Sequence, residues 1–233
     1  MSKKLYGVGV GPGDPELMTL KAVRILKEVD VIYTPVTKKS RDSKAFRILE
    51  KKVACKQKTK KLVFPMIYDR QKLEQAWRKN TEEIMASLSQ GKQVAFITIG
   101  DPLFYSTYIY LLEKIKGRNS EVDIETIPGI TSFQAASARA NLPLAQKKER
   151  LIVLPEIPDQ KETPDILANF SRIIILKVSR DYEKLITFLK ENDLTEDFLF
   201  VSKCGYPEET IITEIKDLPE EKIDYLSLVI CKN

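Results

Sequence analysis

The sequence contains no histidine among its 233 residues. Without imidazole the chain cannot build a Ser-His-Asp triad, a Cys-His dyad or a histidine-rich zinc site. Any proton transfer therefore falls to carboxylates, tyrosine, lysine, water or the substrate. The three cysteines, Cys55, Cys204 and Cys231, are scattered and odd in number, so the sequence supports neither a disulfide framework nor a metal knot. We expect no protein-bound metal.

The sequence also lacks an apolar run long enough to cross a membrane. The short apolar stretch after Met1-Ser2-Lys3-Lys4 is rich in glycine and is followed by Asp14 and Glu16, so we predict no signal peptide and a cytoplasmic location. The composition, 43% hydrophobic and 30% charged, is typical of a soluble globular protein. The formal net charge of +5 is mild and fits an anionic small molecule at least as well as nucleic acid.

Two glycine-containing loops follow predicted strands. Residues 5–10 predict a first buried strand that runs into Gly11-Pro12-Gly13-Asp14-Pro15-Glu16, where Asp14 suits a helix N-cap. No lysine follows these glycines, which excludes a Walker A loop, and Asp14 stands where a dinucleotide fingerprint needs its third glycine. The second loop is Gly100-Asp101-Pro102, after an apolar run at 95–99, with a helix predicted from Pro102. An ordinary strand-to-helix turn is the alternative interpretation of this second loop.

The remaining pattern predicts an α/β fold in two domains, residues 1–132 and 133–233, with a cleft between them. In the first, strands at 5–10, 30–35, 62–64, 95–99 and 123–127 alternate with helices, which indicates a parallel sheet. In the second, strands at 151–154, 173–178, 198–202, 210–215 and 225–231, with a helix at 182–191, predict a mixed or antiparallel sheet. The lysine- and arginine-rich run at 38–61 is interpreted mostly as a solvated face.

With these loops placed, the sequence resembles the tetrapyrrole methylase family, which are S-adenosylmethionine-dependent enzymes of the class III methyltransferase fold. A Rossmann-type methyltransferase is disfavoured, because Leu5-Tyr6 stands where an acidic residue would be needed. Further matches are Tyr-Ser-Thr-Tyr at 105–108, Ser-Phe-Gln-Ala-Ala at 132–136 and the ending at 224–228. These indicate the branch that methylates C-20 of the tetrapyrrole in cobalamin biosynthesis. The main matching stretches are Gly7-Val8-Gly9-Val10-Gly11-Pro12-Gly13-Asp14-Pro15-Glu16, Gly100-Asp101-Pro102-Leu103-Phe104-Tyr105-Ser106-Thr107-Tyr108 and Pro128-Gly129-Ile130-Thr131-Ser132.

The resemblance implies a homodimer that binds S-adenosylmethionine and a tetrapyrrole in the cleft, with no nucleic acid or membrane partner. The methyl group on the sulfonium is already electrophilic, so the protein mainly aligns it with a ring carbon and excludes water. After transfer, the ring carbon must lose a proton to Asp101, Tyr105, Asp14 or water, and the sequence does not choose among them. The cofactor-binding residues implied by the family are Pro12, Ile99, Gly100, Asp101, Phe104, Thr131, Ser132, Lys177 and Cys204.

Substrate contacts are expected in the loop that follows the second strand. The tetrapyrrole is fringed with carboxylates, which lysine and arginine recognise through charge-assisted hydrogen bonds. We therefore expect Lys39, Arg41 and Ser43 to contact the substrate, together with Asp14. Three alternatives stay open: another ring position, an RNA acceptor, and a non-catalytic tetrapyrrole-binding protein. The basic run lacks the interleaved aromatic residues that RNA base stacking uses.

Overall fold

The computed structural model describes residues 4–54, 58–220 and 223–233. The N-terminal Met1-Ser2-Lys3 and Cys55, on which two of the sequence interpretations depend, lie outside the described residues. The chain divides into two compact units, Met1–Thr131 and Ser132–Asn233. Within the described ranges, no helix is long and apolar enough to span a membrane.

The first unit is a five-stranded sheet with four α-helices, and all of its strands run parallel in the order β3-β2-β4-β1-β5. This confirms the predicted parallel sheet. Its core contains Leu5, Phe96, Leu111 and Tyr108, which are fully buried. The elements are β1 Lys4–Gly9, α1 Leu20–Glu28, β2 Val31–Val36, α2 Lys44–Glu50, β3 Lys58–Val63, α3 Arg70–Ser89, β4 Val94–Thr98, α4 Thr107–Arg118 and β5 Asp123–Ile127.

Two helices of this unit start later than the sequence predicted. Asp14 caps only a 3-10 turn, Pro15–Leu17, and α1 begins after Thr19, whose hydroxyl accepts from the Ala22 amide at 3.1 Å. Leu20, the first residue of α1, is 91% exposed. Likewise α4 does not begin at Pro102 but after Ser106, because the 101–106 segment forms a turn of its own. Proline after aspartate was therefore a turn signal here rather than the start of a long helix.

The basic run ends in an edge strand. The prediction placed a strand at 62–64, whereas β3 begins at Lys58 and includes Lys60 and Lys61. Most of its side chains are solvent-accessible. In the sheet, β3 is the outermost strand and its neighbour is β2, so β3 forms one edge. Lysines on an edge strand discourage pairing with other chains, which explains how a charged segment can still be a strand.

The second unit contains a mixed five-stranded sheet in the order β6-β7-β10-β8-β9. Strands β6 and β7 pair in parallel, and the other pairs are antiparallel. The predicted mixed sheet is thus confirmed. The elements are α5 Ser132–Ala140, β6 Leu151–Leu154, α6 Thr163–Asn169, β7 Arg172–Leu176, α7 Tyr182–Glu191, β8 Phe198–Ser202, β9 Thr210–Ile212 and β10 Ser227–Lys232.

Three details of the second unit differ from the prediction. Helix α6 was not predicted, because its seven residues are too few for a clear apolar period. The strand predicted at 210–215 stops at Ile212, and Ile215–Asp217 forms a 3-10 turn. The last strand begins at Ser227 rather than Tyr225, because the backbone turns at Asp224, whose carboxylate accepts from the Leu226 amide at 2.8 Å.

Candidate functional site

Three loops that follow neighbouring parallel strands meet at the carboxyl edge of the first sheet. Strand β1 lies between β4 and β5 and pairs in parallel with both. The loops after Gly9, Thr98 and Ile127 therefore leave the sheet side by side. Open α/β sheets bind ligands at this edge.

The first two loops are joined through their backbones. The Gly100 amide donates to the Gly11 carbonyl at 2.8 Å, and the Val10 amide donates to the Thr98 carbonyl at 2.9 Å. Gly11 and Gly100 have φ angles of +77° and +67°, which glycine adopts without the strain that other residues pay. Beyond the parallel pairing of β1 with β4, the two loops thus form an isolated antiparallel bridge between these glycines.

A tight contact between glycines joins the third loop to this bridge. A Cβ atom on Gly129 would lie 2.1 Å from the Gly100 carbonyl oxygen, and one on Gly9 would lie 2.7 Å from the Gly129 Cα. Both distances are shorter than atoms can approach, so only glycine fits at positions 9 and 129. Gly9 and Gly129 were not among the site residues predicted from the sequence. The feature that could have identified them is a glycine at or just after the end of a predicted strand.

The Asp101 carboxylate connects the second loop to the third. Its Oδ1 accepts from the Leu103 amide at 2.8 Å within its own turn, and its Oδ2 accepts from the Gly129 amide at 3.0 Å. The side chain therefore fixes the relative position of two loops. Its predicted roles in cofactor binding and proton transfer are separate from this contact and stay predictions.

Tyr105 has an unusual backbone for a tyrosine. Its φ is +47°, in the left-handed region, and its side chain is 48% exposed. The ring lies edge-on to Phe104, with centroids 4.8 Å apart and an interplanar angle of 75°. A non-glycine residue in this region costs about 1–3 kcal/mol, and such residues cluster at functional sites. The next residue, Ser106, bonds the Thr98 hydroxyl at 3.0 Å and caps α4.

The remaining predicted cofactor residues of the first unit lie in the same three loops. Pro12 is buried in the loop after β1, Ile99 is partly exposed directly after β4, and Thr131 is partly exposed in the loop after β5. Ser132 is the first residue of α5 and belongs to the second unit. Asp14 is partly exposed, and its carboxylate accepts from the Glu16 amide at 2.8 Å.

The predicted substrate residues differ in accessibility. Lys39 and Arg41 are exposed in the loop after β2, which leaves the sheet at the same carboxyl edge. Ser43 is only 3% exposed. Its hydroxyl bonds the Thr34 hydroxyl and accepts from the Phe46 amide at the start of α2. The structure therefore gives Ser43 a capping role and presents Lys39 and Arg41 to solvent.

Lys177 and Cys204 lie at the same edge of the second sheet. Lys177 directly follows β7, and Cys204 comes shortly after the end of β8. The two strands run in the same direction because both are antiparallel to β10. Burial and the neighbouring Arg180 lower the pKa of Lys177, which has a left-handed φ of +55°. Lys177 also lines a cavity of about 490 Å³ within this unit. Burial and the nearby Glu209 raise the pKa of Cys204 to about 12, so its thiol stays protonated at neutral pH.

Comparison with known proteins identifies the family. Residues 4–219 match the family model of the Tetrapyrrole (Corrin/Porphyrin) Methylases. The chain belongs to this family. Tetrapyrrole methylases use S-adenosylmethionine as their methyl donor. The three loops at the carboxyl edge of the first sheet are the stretches on which the family resemblance was based.

Curated relatives and a solved structure align with nearly the whole chain of this tetrapyrrole methylase. The "Probable cobalt-precorrin-2 C(20)-methyltransferase" of Methanocaldococcus jannaschii is 39% identical, over 99% of this chain and 96% of its own. The "Cobalt-precorrin-2 C(20)-methyltransferase" of Salmonella typhimurium is 31% identical over the same shares. The structure of uroporphyrin-III C-methyl transferase from Thermus thermophilus, complexed with S-adenyl homocysteine, has a TM-score of 0.70 and 21% identity, and the match covers 98% of this chain and 92% of that one.

Proposed function

We propose that this protein is an S-adenosylmethionine-dependent methyltransferase that methylates C-20 of precorrin-2, free or as its cobalt complex, in cobalamin biosynthesis. The observation that carries the proposal is the alignment, along nearly the full length of both chains, with two relatives that are named for this reaction. Identity of 31–39% over such a length includes every loop of the candidate site. The C-20 branch indicated by the sequence is thus the activity that these relatives carry.

The carboxyl edge of the first sheet fits the methyl donor. The loops at this edge pack closely, because a Cβ atom on Gly100 would lie 3.9 Å from the Ile130 carbonyl oxygen and from the Thr131 Cα, an ordinary van der Waals contact. Gly11 and Gly100 contribute backbone to this edge, and Phe104 contributes a partly buried ring. Peptide groups and an aromatic ring suit an adenosyl group, which needs hydrogen bonds and apolar contact more than charge. The Thermus relative bound to S-adenyl homocysteine supports this assignment.

In this proposal, the donor-binding residues are those predicted from the sequence: Pro12, Ile99, Gly100, Asp101, Phe104, Thr131, Ser132, Lys177 and Cys204. S-adenosylmethionine supplies an electrophilic methyl group. The ring carbon forms a bond to that methyl group while the carbon–sulfur bond breaks and S-adenosylhomocysteine leaves. The protein contributes alignment and exclusion of water, tasks for which no histidine is needed.

The reaction is completed when the methylated ring carbon loses its proton. Asp101, Tyr105, Asp14 and water are the candidate acceptors. The Asp101 carboxylate accepts from the Leu103 and Gly129 amides, and a carboxylate can accept about four hydrogen bonds, so these two contacts leave it further capacity. Of the three residues, Tyr105 has the most exposed side chain, and its backbone lies in the strained left-handed region.

For the substrate, we propose that Lys39 and Arg41 bind the peripheral carboxylates of the tetrapyrrole. Both side chains are exposed, and their loop leaves the same edge of the sheet as the three glycine-containing loops. An arginine–carboxylate pair can form two parallel hydrogen bonds, which gives orientation as well as affinity. A homodimer and a cytoplasmic location are further predictions of the sequence that enter this proposal.

The experiment that tests the proposal is a binding and turnover series on the purified chain. Calorimetry with S-adenosylhomocysteine should show one site per chain. Incubation with S-adenosylmethionine and precorrin-2 should then add the mass of one methyl group to the tetrapyrrole. Binding without any mass gain would support a non-catalytic binding protein instead, and a methylated RNA in a parallel incubation would favour a different acceptor.

A further inference from the structure

Glu209 is a nearly buried carboxylate at the end of the loop that follows β8, residues 203–209. Its side chain is only 10% exposed, although it lies just before the short edge strand β9. No pattern in the sequence distinguished it from the chain's other acidic residues. A carboxylate removed from water in this way is costly unless donors satisfy it.

Three donors converge on the Glu209 carboxylate. The Gly205 amide donates to Oε2 at 2.7 Å, and the Arg139 Nε donates to Oε1 at 2.8 Å. The Cys204 thiol is the third donor. Burial opposes the charged form of Glu209, but the Gly205 amide and Arg139 outweigh it and hold the pKa of Glu209 below its usual value. The side chain is therefore ionised at neutral pH, and it joins α5 to the loop after β8.

The loop that Glu209 holds has a strained backbone. Lys203 and Gly205 have left-handed φ angles of +50° and +78°, on either side of Cys204. The loop contains two successive turns. The Tyr206 amide donates to the Lys203 carbonyl, and the Glu209 amide donates to the Tyr206 carbonyl, so Glu209 comes back close to Gly205. A lysine in the left-handed region is unfavourable by itself, so surrounding contacts must maintain it.

We propose that Glu209 is a positioning residue, which holds the backbone at 203–205 in the conformation that binds S-adenosylmethionine. The proposal rests on the proposed function, in which Cys204 contacts the donor. Glu209 does not touch the donor in this account. It acts through the Gly205 amide and the Cys204 thiol, and Arg139 balances its charge.

A preorganised loop contributes to affinity because the ordering cost is met before the ligand binds. Glu209→Ala removes all three acceptor contacts, so we expect the dissociation constant for S-adenosylhomocysteine to rise about tenfold. Glu209→Gln keeps the size of the side chain and one acceptor oxygen but loses the charge that Arg139 requires. It should weaken binding by about threefold, between wild type and alanine.

The test uses calorimetry on the full chain, with Glu214→Ala as the matched control. Glu214 lies in the same unit, is 60% exposed and forms an ion pair with the exposed Lys216. Binding is measured well below the unfolding midpoint of each variant, so a merely structural role would lower the midpoint and leave the affinity of the folded chain unchanged. In turnover, KM for S-adenosylmethionine should rise in both Glu209 variants while KM for the tetrapyrrole stays the same.

The outcomes separate this inference from the proposed function. Wild-type affinity in a folded Glu209→Ala or Glu209→Gln chain would overturn the positioning role and leave the proposed function intact. If the alanine variant does not fold, the glutamine variant decides the question alone. A wild-type chain that does not bind S-adenosylhomocysteine would overturn the proposed function, and this inference with it.

Discussion

At the scale of single residues, Asp101 is the side chain that ties together two of the candidate site's loops. Asparagine at this position would still accept from the Leu103 amide, but its NH₂ group would face the Gly129 amide, so that two donors would oppose each other. The Gly129 amide is partly buried, and leaving a fully buried donor unsatisfied costs about 1–3 kcal/mol, which is an upper bound here. We therefore expect Asp101→Asn to weaken S-adenosylhomocysteine binding about tenfold by calorimetry.

A matched control for this variant lies at the opposite edge of the same sheet. Asp30 accepts from the Gln93 amide at 2.8 Å, also between two loops, but at the amino ends of β2 and β4. Asp30→Asn should lose stability without losing affinity. Equal affinity of the wild type and Asp101→Asn would contradict the connecting role. A fall in kcat of Asp101→Asn at saturating S-adenosylmethionine would support the proton-accepting role of Asp101.

Arg41 is the residue whose proposed role is most easily separated from cofactor binding. Arg41→Ala removes a charge-assisted contact to a substrate carboxylate and leaves the three glycine-containing loops intact. We expect KM for the tetrapyrrole to rise roughly tenfold, while KM for S-adenosylmethionine stays constant. Steady-state kinetics should show no such change in Arg24→Ala, an exposed arginine that pairs with Glu28 on α1. An unchanged tetrapyrrole KM in Arg41→Ala would remove Arg41 from the substrate site.

Single residues also show the limits of prediction from sequence. The loop at Gly100 and Asp101 was noticeable because a glycine and an acidic residue follow a buried strand, and its role in donor binding stays a prediction. The substrate contact expected of Ser43 also stays a prediction, and the structure shows its hydroxyl buried against Thr34. Glu209 could not be found, because its partners come from α5 and from the loop after β8, and nothing in the sequence indicates that these approach each other.

At the scale of elements, the packing of α4 on β1 requires glycine at position 7. A Cβ atom there would lie 2.1 Å from Cζ of Tyr108, whose ring is fully buried and whose hydroxyl bonds Thr126 at 3.1 Å. We expect Gly7→Ala to lower the free energy of unfolding by about 1–3 kcal/mol, as overpacking of a core does. Urea denaturation measures this difference.

Gly117, which lies in α4, is a glycine at which an added side chain should stabilise the protein. An added Cβ atom would meet nothing within 4 Å, and the position lies in α4. Gly117→Ala should raise the free energy of unfolding by about 0.5–1 kcal/mol, since alanine is the better helix former. Destabilisation by Gly117→Ala, or none by Gly7→Ala, would contradict this description of the helix.

The edge strand β5 gives a pH prediction. Lys21 and Lys4 pair with Glu125 and lower its pKa to about 2. Because this folded-state pKa lies below the unfolded value, the contribution to stability is present above about pH 4.5 and is lost as the pH falls towards 2. Glu125→Gln should therefore lower the unfolding midpoint at pH 7, by an amount that corresponds to about 1 kcal/mol or less. The difference from wild type should shrink between pH 4.5 and pH 2, and a constant difference would contradict the ion-pair account.

Element boundaries show why local signals were incomplete. Both predicted Asp-Pro helix starts proved to be turns, and the true caps, Thr19 and Ser106, each lie five residues further on. In the second case the left-handed Tyr105 prevents the helix from extending back, and the Asp101–Gly129 contact depends on a strand far along the chain. Strands and long helices were predictable from their periodicity, whereas these starts depended on tertiary contacts.

At the scale of the whole molecule, the sequence predicted one parallel and one mixed sheet, and both are present. The strand orders could not be predicted. In the second sheet, β10 inserts between β7 and β8, although it comes last in the chain. Such long-range pairing is decided by packing rather than by local pattern. The function could be predicted from the family resemblance. That resemblance rests on three loops, and the parallel sheet places the strands before these loops side by side.

The most direct test of the account is the position of the transferred methyl group. The purified chain is incubated with labelled S-adenosylmethionine and precorrin-2, with and without inserted cobalt, and the product is examined by NMR. We expect the label at C-20, and the form that reacts identifies the branch of the pathway. Label at another ring carbon, or no transfer to either form despite tight binding of S-adenosylhomocysteine, would contradict the proposed function.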